Sequence, residues 1–101
     1  MGQNVAVAVS ETLDPDVRRF STDRWLTGMG GRLYFDPEIA PDGAPKIPVG
    51  GYESKIFELG GIKSLYIYGS ELTITKGDEA SWDDLAPRIQ EILAGAFRHY
   101  P

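Results

Sequence analysis

The stretch Gly61-Ile-Lys-Ser-Leu-Tyr-Ile-Tyr-Gly-Ser-Glu-Leu-Thr-Ile-Thr-Lys76 constrains the fold more than any other part of the chain. Two runs rich in β-branched and aromatic residues flank Gly69-Ser70, a dipeptide suited to a two-residue hairpin loop. With that loop, Tyr68 faces Glu71, Ile67 faces Leu72, Tyr66 faces Thr73 and Leu65 faces Ile74. Side chains alternate along a strand, so Leu65, Ile67, Leu72 and Ile74 share one face and Tyr66, Tyr68, Thr73 and Thr75 share the other. A one-residue slip would scatter the apolar set, so the register is specified locally.

The remaining elements are arranged around this hairpin. Asn4–Ser10 alternates Val5, Val7 and Val9 with small residues, the pattern of a half-buried strand. Glu11–Asp16 reads as a turn, where Pro15 fixes its own φ and Asp14 can accept from a nearby amide. Val17–Ser21 reads as a second strand. Its parity is open: either Val17 and Arg19 point inward, or Arg18 and Phe20 do. Thr22–Leu26 is expected to be irregular, with Trp25 and Leu26 reaching the core. Arg32–Phe35 could form a short edge strand.

Asp36–Gly51 holds Pro37, Pro41, Pro45 and Pro48 together with three glycines, which forbids regular structure and predicts a long surface loop. Such a loop is either functional or a tolerated insertion. Tyr52, Ile56 and Leu59 lie at helical spacing ahead of Gly60-Gly61, a C-terminal stop. Gly77–Ala80 reads as a turn. Ser81 and Asp84 then resemble a capping box. Trp82, Leu85, Ile89, Ile92, Leu93, Ala96 and Phe97 follow as one apolar stripe. Because proline is tolerated only in a first helical turn, Pro87 predicts a separate turn at Ser81–Asp84 and a helix from about Leu85.

These elements predict an α+β two-layer sandwich in ββαββα order. A mostly antiparallel four-stranded sheet carries both helices on one face. At 101 residues, the expectation is a single domain spanning 1–101.

Charge narrows the function. The net charge is −5; the charges of residues 1–35 cancel, and the acidic excess lies entirely in 36–101. No basic stripe exists to reward a phosphate backbone, so nucleic acid is not the expected partner. The 101 residues contain no cysteine, which removes disulfides, thiolate metal ligation and cysteine nucleophiles from them. No apolar run approaches the roughly 18 residues of a membrane span, so a cytoplasmic protein without membrane contact is expected.

No catalytic, cofactor-binding or metal residue stands out. His99 is the single histidine and lies at the chain end without a nearby nucleophile. Asp78, Glu79, Asp83 and Asp84 lack the spacing of a calcium loop, and a helix start explains acidic residues without a metal. Gly28-Met-Gly-Gly31 is not followed by the Gly-Lys-Ser/Thr of a phosphate loop. The candidate partner surface is the non-core hairpin face: Tyr66, Tyr68, Thr73 and Thr75. A two-layer fold leaves that face without helices, where exposed aromatics suit a protein partner or self-association.

The run Ile56-Phe-Glu-Leu-Gly-Gly-Ile-Lys-Ser-Leu-Tyr-Ile67, then Leu72-Thr-Ile-Thr-Lys76, then Trp82-x-x-Leu-x-Pro-x-Ile89, resembles the N-terminal domain of Nfu/NifU-like iron–sulfur scaffold proteins. Glu11-Thr-Leu-Asp-Pro15 and Arg19-Phe20 are similar to segments near that domain's start. The resemblance is dense over residues 56–92, weaker over 5–20 and absent across the proline-rich loop. Glu71 departs from it, since an aromatic is frequent there. The resemblance implies a link to iron–sulfur cluster assembly. It also implies that cluster transfer belongs to a separate Cys-x-x-Cys domain, whose motif these residues lack. The expectation is a stand-alone, non-catalytic interaction or accessory module without cluster carriage, its partners drawn from iron–sulfur assembly proteins. A general binding or oligomerisation module is the alternative. An enzyme is disfavoured, because no nucleophile–base pair is visible.

Overall fold

The computed structural model describes residues 7–22 and 31–96. The elements run β1 (Val7–Glu11), β2 (Val17–Thr22), β3 (Gly31–Phe35), α1 (Tyr52–Glu58), β4 (Ile62–Tyr68), β5 (Glu71–Lys76) and α2 (Trp82–Ala96). They form one fully antiparallel sheet in the order β1-β2-β5-β4-β3.

The hairpin has the register its alternation predicts: Leu65↔Ile74, Tyr66↔Thr73, Ile67↔Leu72 and Tyr68↔Glu71. Gly69 takes φ 61° while no non-glycine among the described residues, Ser70 included, has a positive φ, so the loop is of the II′ kind that matches strand twist. A register shift between Ile62 and Ser64 turns Ile62 inward, although it lies three positions from Leu65.

The sheet has five strands rather than the expected four, and the order is βββαββα rather than ββαββα. The difference is β3, the short edge strand that Arg32–Phe35 could form, which pairs with β4 and is not counted in the expected four. Its Tyr34 fills the edge of the core while Leu33 points away, the same alternation seen along β4. The open parity of β2 resolves toward Phe20, which is fully buried on the core face, with Arg18 beside it. The Arg18 guanidinium lies 5.6 Å from the ring centre of Trp82, a cation–π distance.

Both helices cover one sheet face. Ile56 of α1 and Trp82, Leu85, Ile89 and Leu93 of α2 close over Phe20, Leu65, Ile67, Leu72 and Ile74. Helix α1 ends where Gly60 and Gly61 take φ 83° and 77°. Helix α2 starts at Trp82, not Leu85, so Pro87 sits inside it. Ser81 makes the early start possible, because its Oγ accepts from the Asp83 amide at 3.2 Å and its carbonyl from the Leu85 amide at 2.9 Å. Pro87 has no N–H for the carbonyl of Asp83. Both residues are exposed, so water can satisfy that carbonyl.

The β1–β2 turn is pinned to the far end of the chain. Trp82 Nε1 donates to the Pro15 carbonyl at 2.9 Å, and Lys76 donates through its amide to the Asp16 carbonyl and through Nζ to the Asp16 carboxylate, both at 2.8 Å. Asp14 accepts from the Asp16 amide at 2.9 Å, as its turn position predicts. Residues 36–51 contain no helix or strand. Trp25, Leu26, Phe97 and His99 lie outside the described residues.

Candidate functional site

The face opposite the helices is a grid set by the ladder. Reading across from β2 to β3, one row holds Arg19, Thr73, Tyr66 and Leu33, and the next holds Ser21, Glu71, Tyr68 and Gly31. Tyr66 and Tyr68 keep 40% and 60% of their surface exposed and Leu33 keeps 40%, while Thr73 and Thr75 are half-buried between their neighbours. All four residues proposed from alternation therefore lie on one open surface. The two tyrosine rings are nearly parallel, 14° apart with centroids at 6.4 Å, and form a flat aromatic step.

Tyr66 can lie down because of Gly31. The ring crosses the diagonal to β3, where a Cβ on Gly31 would come within 2.7 Å of its Cε1. Glycine lets a neighbouring group approach the backbone closely. Sequence reasoning missed Gly31 and Leu33 as parts of the surface. The usable signal was the alternation in Arg32-Leu-Tyr-Phe35, which becomes informative once β3 is paired with β4.

The charge on this central surface is balanced. Arg19 Nε lies 3.8 Å from Glu71 Oε2 with both side chains about half exposed, a weak pair in water. The neutral, aromatic centre has the composition of an interface core, where charge is depleted and Tyr and Arg are enriched.

No other feature of the described residues gathers chemistry. They contain no group of three or more His, Cys, Asp or Glu side chains able to hold a metal. Asp78, Glu79, Asp83 and Asp84 are all exposed, and Asp83 and Asp84 occupy the first turn of α2, where they complement the helix dipole. A cleft of about 450 Å³ lies between Phe35 and the loop from Pro37 to Ile47, with Asp42 and Lys46 its charged lining residues. The Tyr52 hydroxyl is pushed to higher pKa chiefly by burial, then by Glu53 and Tyr34. Leu13 stands fully exposed at the tip of the pinned β1–β2 turn. No helix among the described residues is long and apolar enough to cross a membrane.

The model of the family described as scaffold protein Nfu/NifU N-terminal matches residues 7–99. That family is linked to iron–sulfur cluster assembly. No curated protein matches the chain. Among solved structures, the crystal structure of protein SAV1430 from Staphylococcus aureus is similar with a TM-score of 0.66 at 18% identity, covering 89% of this chain and 98% of that one. The solution structure of the same protein gives a TM-score of 0.61 at 17% identity, over 98% and 99% of the two chains. The solution structure of SeR13 from Staphylococcus epidermidis gives 0.55 at 26% identity, over 83% and 88%.

Proposed function

The chain belongs to the Nfu/NifU N-terminal scaffold family, and from that premise we propose that it is a non-catalytic protein-interaction module of cytoplasmic iron–sulfur cluster assembly. It acts as a single domain and does not itself carry the cluster, which is the cargo of the pathway. Its contact surface is the open sheet face, with Tyr66 and Tyr68 as anchors and Thr73 and Thr75 as the low ground between strands.

The observation that carries this reading is the pair of exposed, parallel tyrosines on a face without helices. Rigid aromatics lose little side-chain entropy on binding and bury a large area, which is why interfaces concentrate them. The absence of cysteine in the 101 residues supports the cargo-free part, because cluster ligation rests on thiolates.

The test is affinity purification of the tagged chain from its host. Iron–sulfur assembly proteins should co-elute with it and be lost from the Tyr66→Ser/Tyr68→Ser double variant, while the circular-dichroism melt stays nearly unchanged. Unfolding of the double variant, or an eluate containing only proteins unrelated to cluster assembly, would refute the reading.

A further inference from the structure

Strand β3 closes the sheet on one side, and alternate residues along it lack a backbone partner. The Asp36 amide donates to the Lys63 carbonyl at 2.9 Å, which fixes Asp36, Tyr34 and Arg32 as the residues bonded to β4. Gly31, Leu33 and Phe35 therefore direct their amides and carbonyls away from the sheet. Among the described residues only the Gly31 carbonyl meets a donor there, Arg32 Nη1 at 3.4 Å. The devices that commonly blunt an edge are missing from Gly31–Phe35, which holds no proline, no lysine and no bulge. The opposite edge is covered. Helix α2 packs along β1, and its Gln90 Nε2 donates to the outward Val7 carbonyl at 3.3 Å.

We propose that this edge receives an extended segment of the partner protein, added beside β3 as one more strand of the five-stranded sheet. The proposal rests on the reading of the open face as the contact surface and names the form in which the partner presents itself there. A row of free amides and carbonyls in β geometry is matched by one kind of occupant, a second backbone in β geometry. Side chains then select its sequence. Residues of the added strand level with Leu33 share the open face, where Leu33 keeps 40% of its surface exposed. The Tyr66 ring lies across Gly31 with its hydroxyl foremost, so the aromatic step reaches the outer edge of the sheet. Apolar side chains at alternate positions of the added strand continue that surface.

The other face of the added strand meets different neighbours. Arg32 and Tyr34 lie on that side, and Arg32 is exposed with no ion pair among the described residues. An acidic side chain opposite Arg32 gains a cross-strand charge pair. At Phe35 the edge adjoins the cleft of about 450 Å³ bounded by the loop from Pro37 to Ile47, which offers a side chain of the added strand a pocket. Pro37 ends the run of available amides. The occupant is therefore a short extended segment that alternates apolar with polar residues and sets an acid opposite Arg32.

The probe is the acetylated and amidated peptide Thr-Val-Thr-Phe-Glu-Val-Thr, and the readout is amide hydrogen exchange of the purified chain followed by nuclear magnetic resonance. Without peptide the Leu33 and Phe35 amides should exchange fast, while those of Arg32 and Tyr34, bonded to β4, exchange slowly. Peptide at up to millimolar concentration should slow Leu33 and Phe35 at least about tenfold and leave the other two unchanged. The same peptide N-methylated at its phenylalanine should lose this effect, because the donor to the Leu33 carbonyl is gone. Leu33→Pro removes an amide that points away from the sheet. That variant should keep the wild-type melt and bind the peptide at least about tenfold more weakly, whereas Leu33→Ala, which keeps the amide, should retain the alternating protection. If Leu33→Pro fails to fold, the N-methylated peptide decides. Absent protection, protection without alternation, or protection that survives N-methylation would overturn the proposal. Protection that grows with protein concentration and needs no peptide would also overturn it, by making the occupant a second copy. Assembly proteins that co-elute with folded Leu33→Pro but not with the tyrosine double variant would sink strand addition and leave the functional reading standing. Strand addition of the peptide with no assembly protein in the eluate would do the reverse.

Discussion

Lys76 keeps only 8% of its surface exposed, and its ammonium is held at 2.8 Å by Asp16 and at 3.3 Å by the Gly77 carbonyl. The hydrogen bond from Lys76 is the main cause that holds the Asp16 carboxyl below the ordinary carboxylate value. A carboxyl depressed in the folded state adds stability that is fully present above its unfolded pKa of about 3.9 and is lost as pH falls through the lower, folded value. Stability should therefore decline on the acid side of about pH 4, and Asp16→Asn should flatten that decline. At neutral pH the same variant should lower the urea midpoint, since it leaves a buried ammonium without its counter-ion. Urea titrations of both proteins across the acid range test this, and parallel curves would reject it. Asp16 and Lys76 are 60 positions apart, so nothing local in the sequence couples them. The β2 parity was illegible for a similar reason. Val17-Arg-Arg-Phe20 offers either face a mixture, and only Trp82, which takes both Phe20 at 6.0 Å and the Arg18 guanidinium, decides which one turns inward.

Elements were legible where a pattern is self-contained. The β4–β5 hairpin carries its own register because its apolar and hydroxylated sets separate cleanly, and its loop needs a positive φ only where Gly69 stands. Ile67→Ala and Ile74→Ala, both at fully buried positions, should each cost about 2–5 kcal/mol, whereas Thr73→Ala on the open face should cost far less. Denaturant titration distinguishes them, and equal losses from all three would contradict the register. Helix α2 starts at Trp82 rather than Leu85 because the Ser81 cap outweighs proline's dislike of helix interiors. With Asp83 in water, the missing hydrogen bond is tolerable, and Trp82 gains a buried position by joining the helix. Strand β3 was underrated because five residues at an edge carry little periodicity of their own. Its identity comes from the ladder to β4.

At the scale of the whole molecule, the layer arrangement follows from amphipathic faces, but the strand order does not. Placing β2 against β5 and β3 against β4 joins segments distant in sequence, and hydrophobic alternation is silent about which strand lies beside which. The candidate surface was legible to the same depth: its tyrosines come from alternation within one hairpin, whereas Leu33, Gly31 and Arg19 join it only through neighbouring strands. The assembled surface also bears on cluster binding. An iron–sulfur cluster is held by thiolates, with imidazole as the occasional substitute, and the 101 residues offer no cysteine and one histidine. The open face presents phenols, threonine hydroxyls and the Arg19 guanidinium, none of which replaces a thiolate toward iron. Anaerobic incubation of the purified chain with ferrous iron and sulfide, followed by desalting, should therefore leave no visible cluster absorbance and no shift in the thermal melt. A cluster retained at full occupancy by this chain alone would contradict the cargo-free role, even if the interaction surface proved correct.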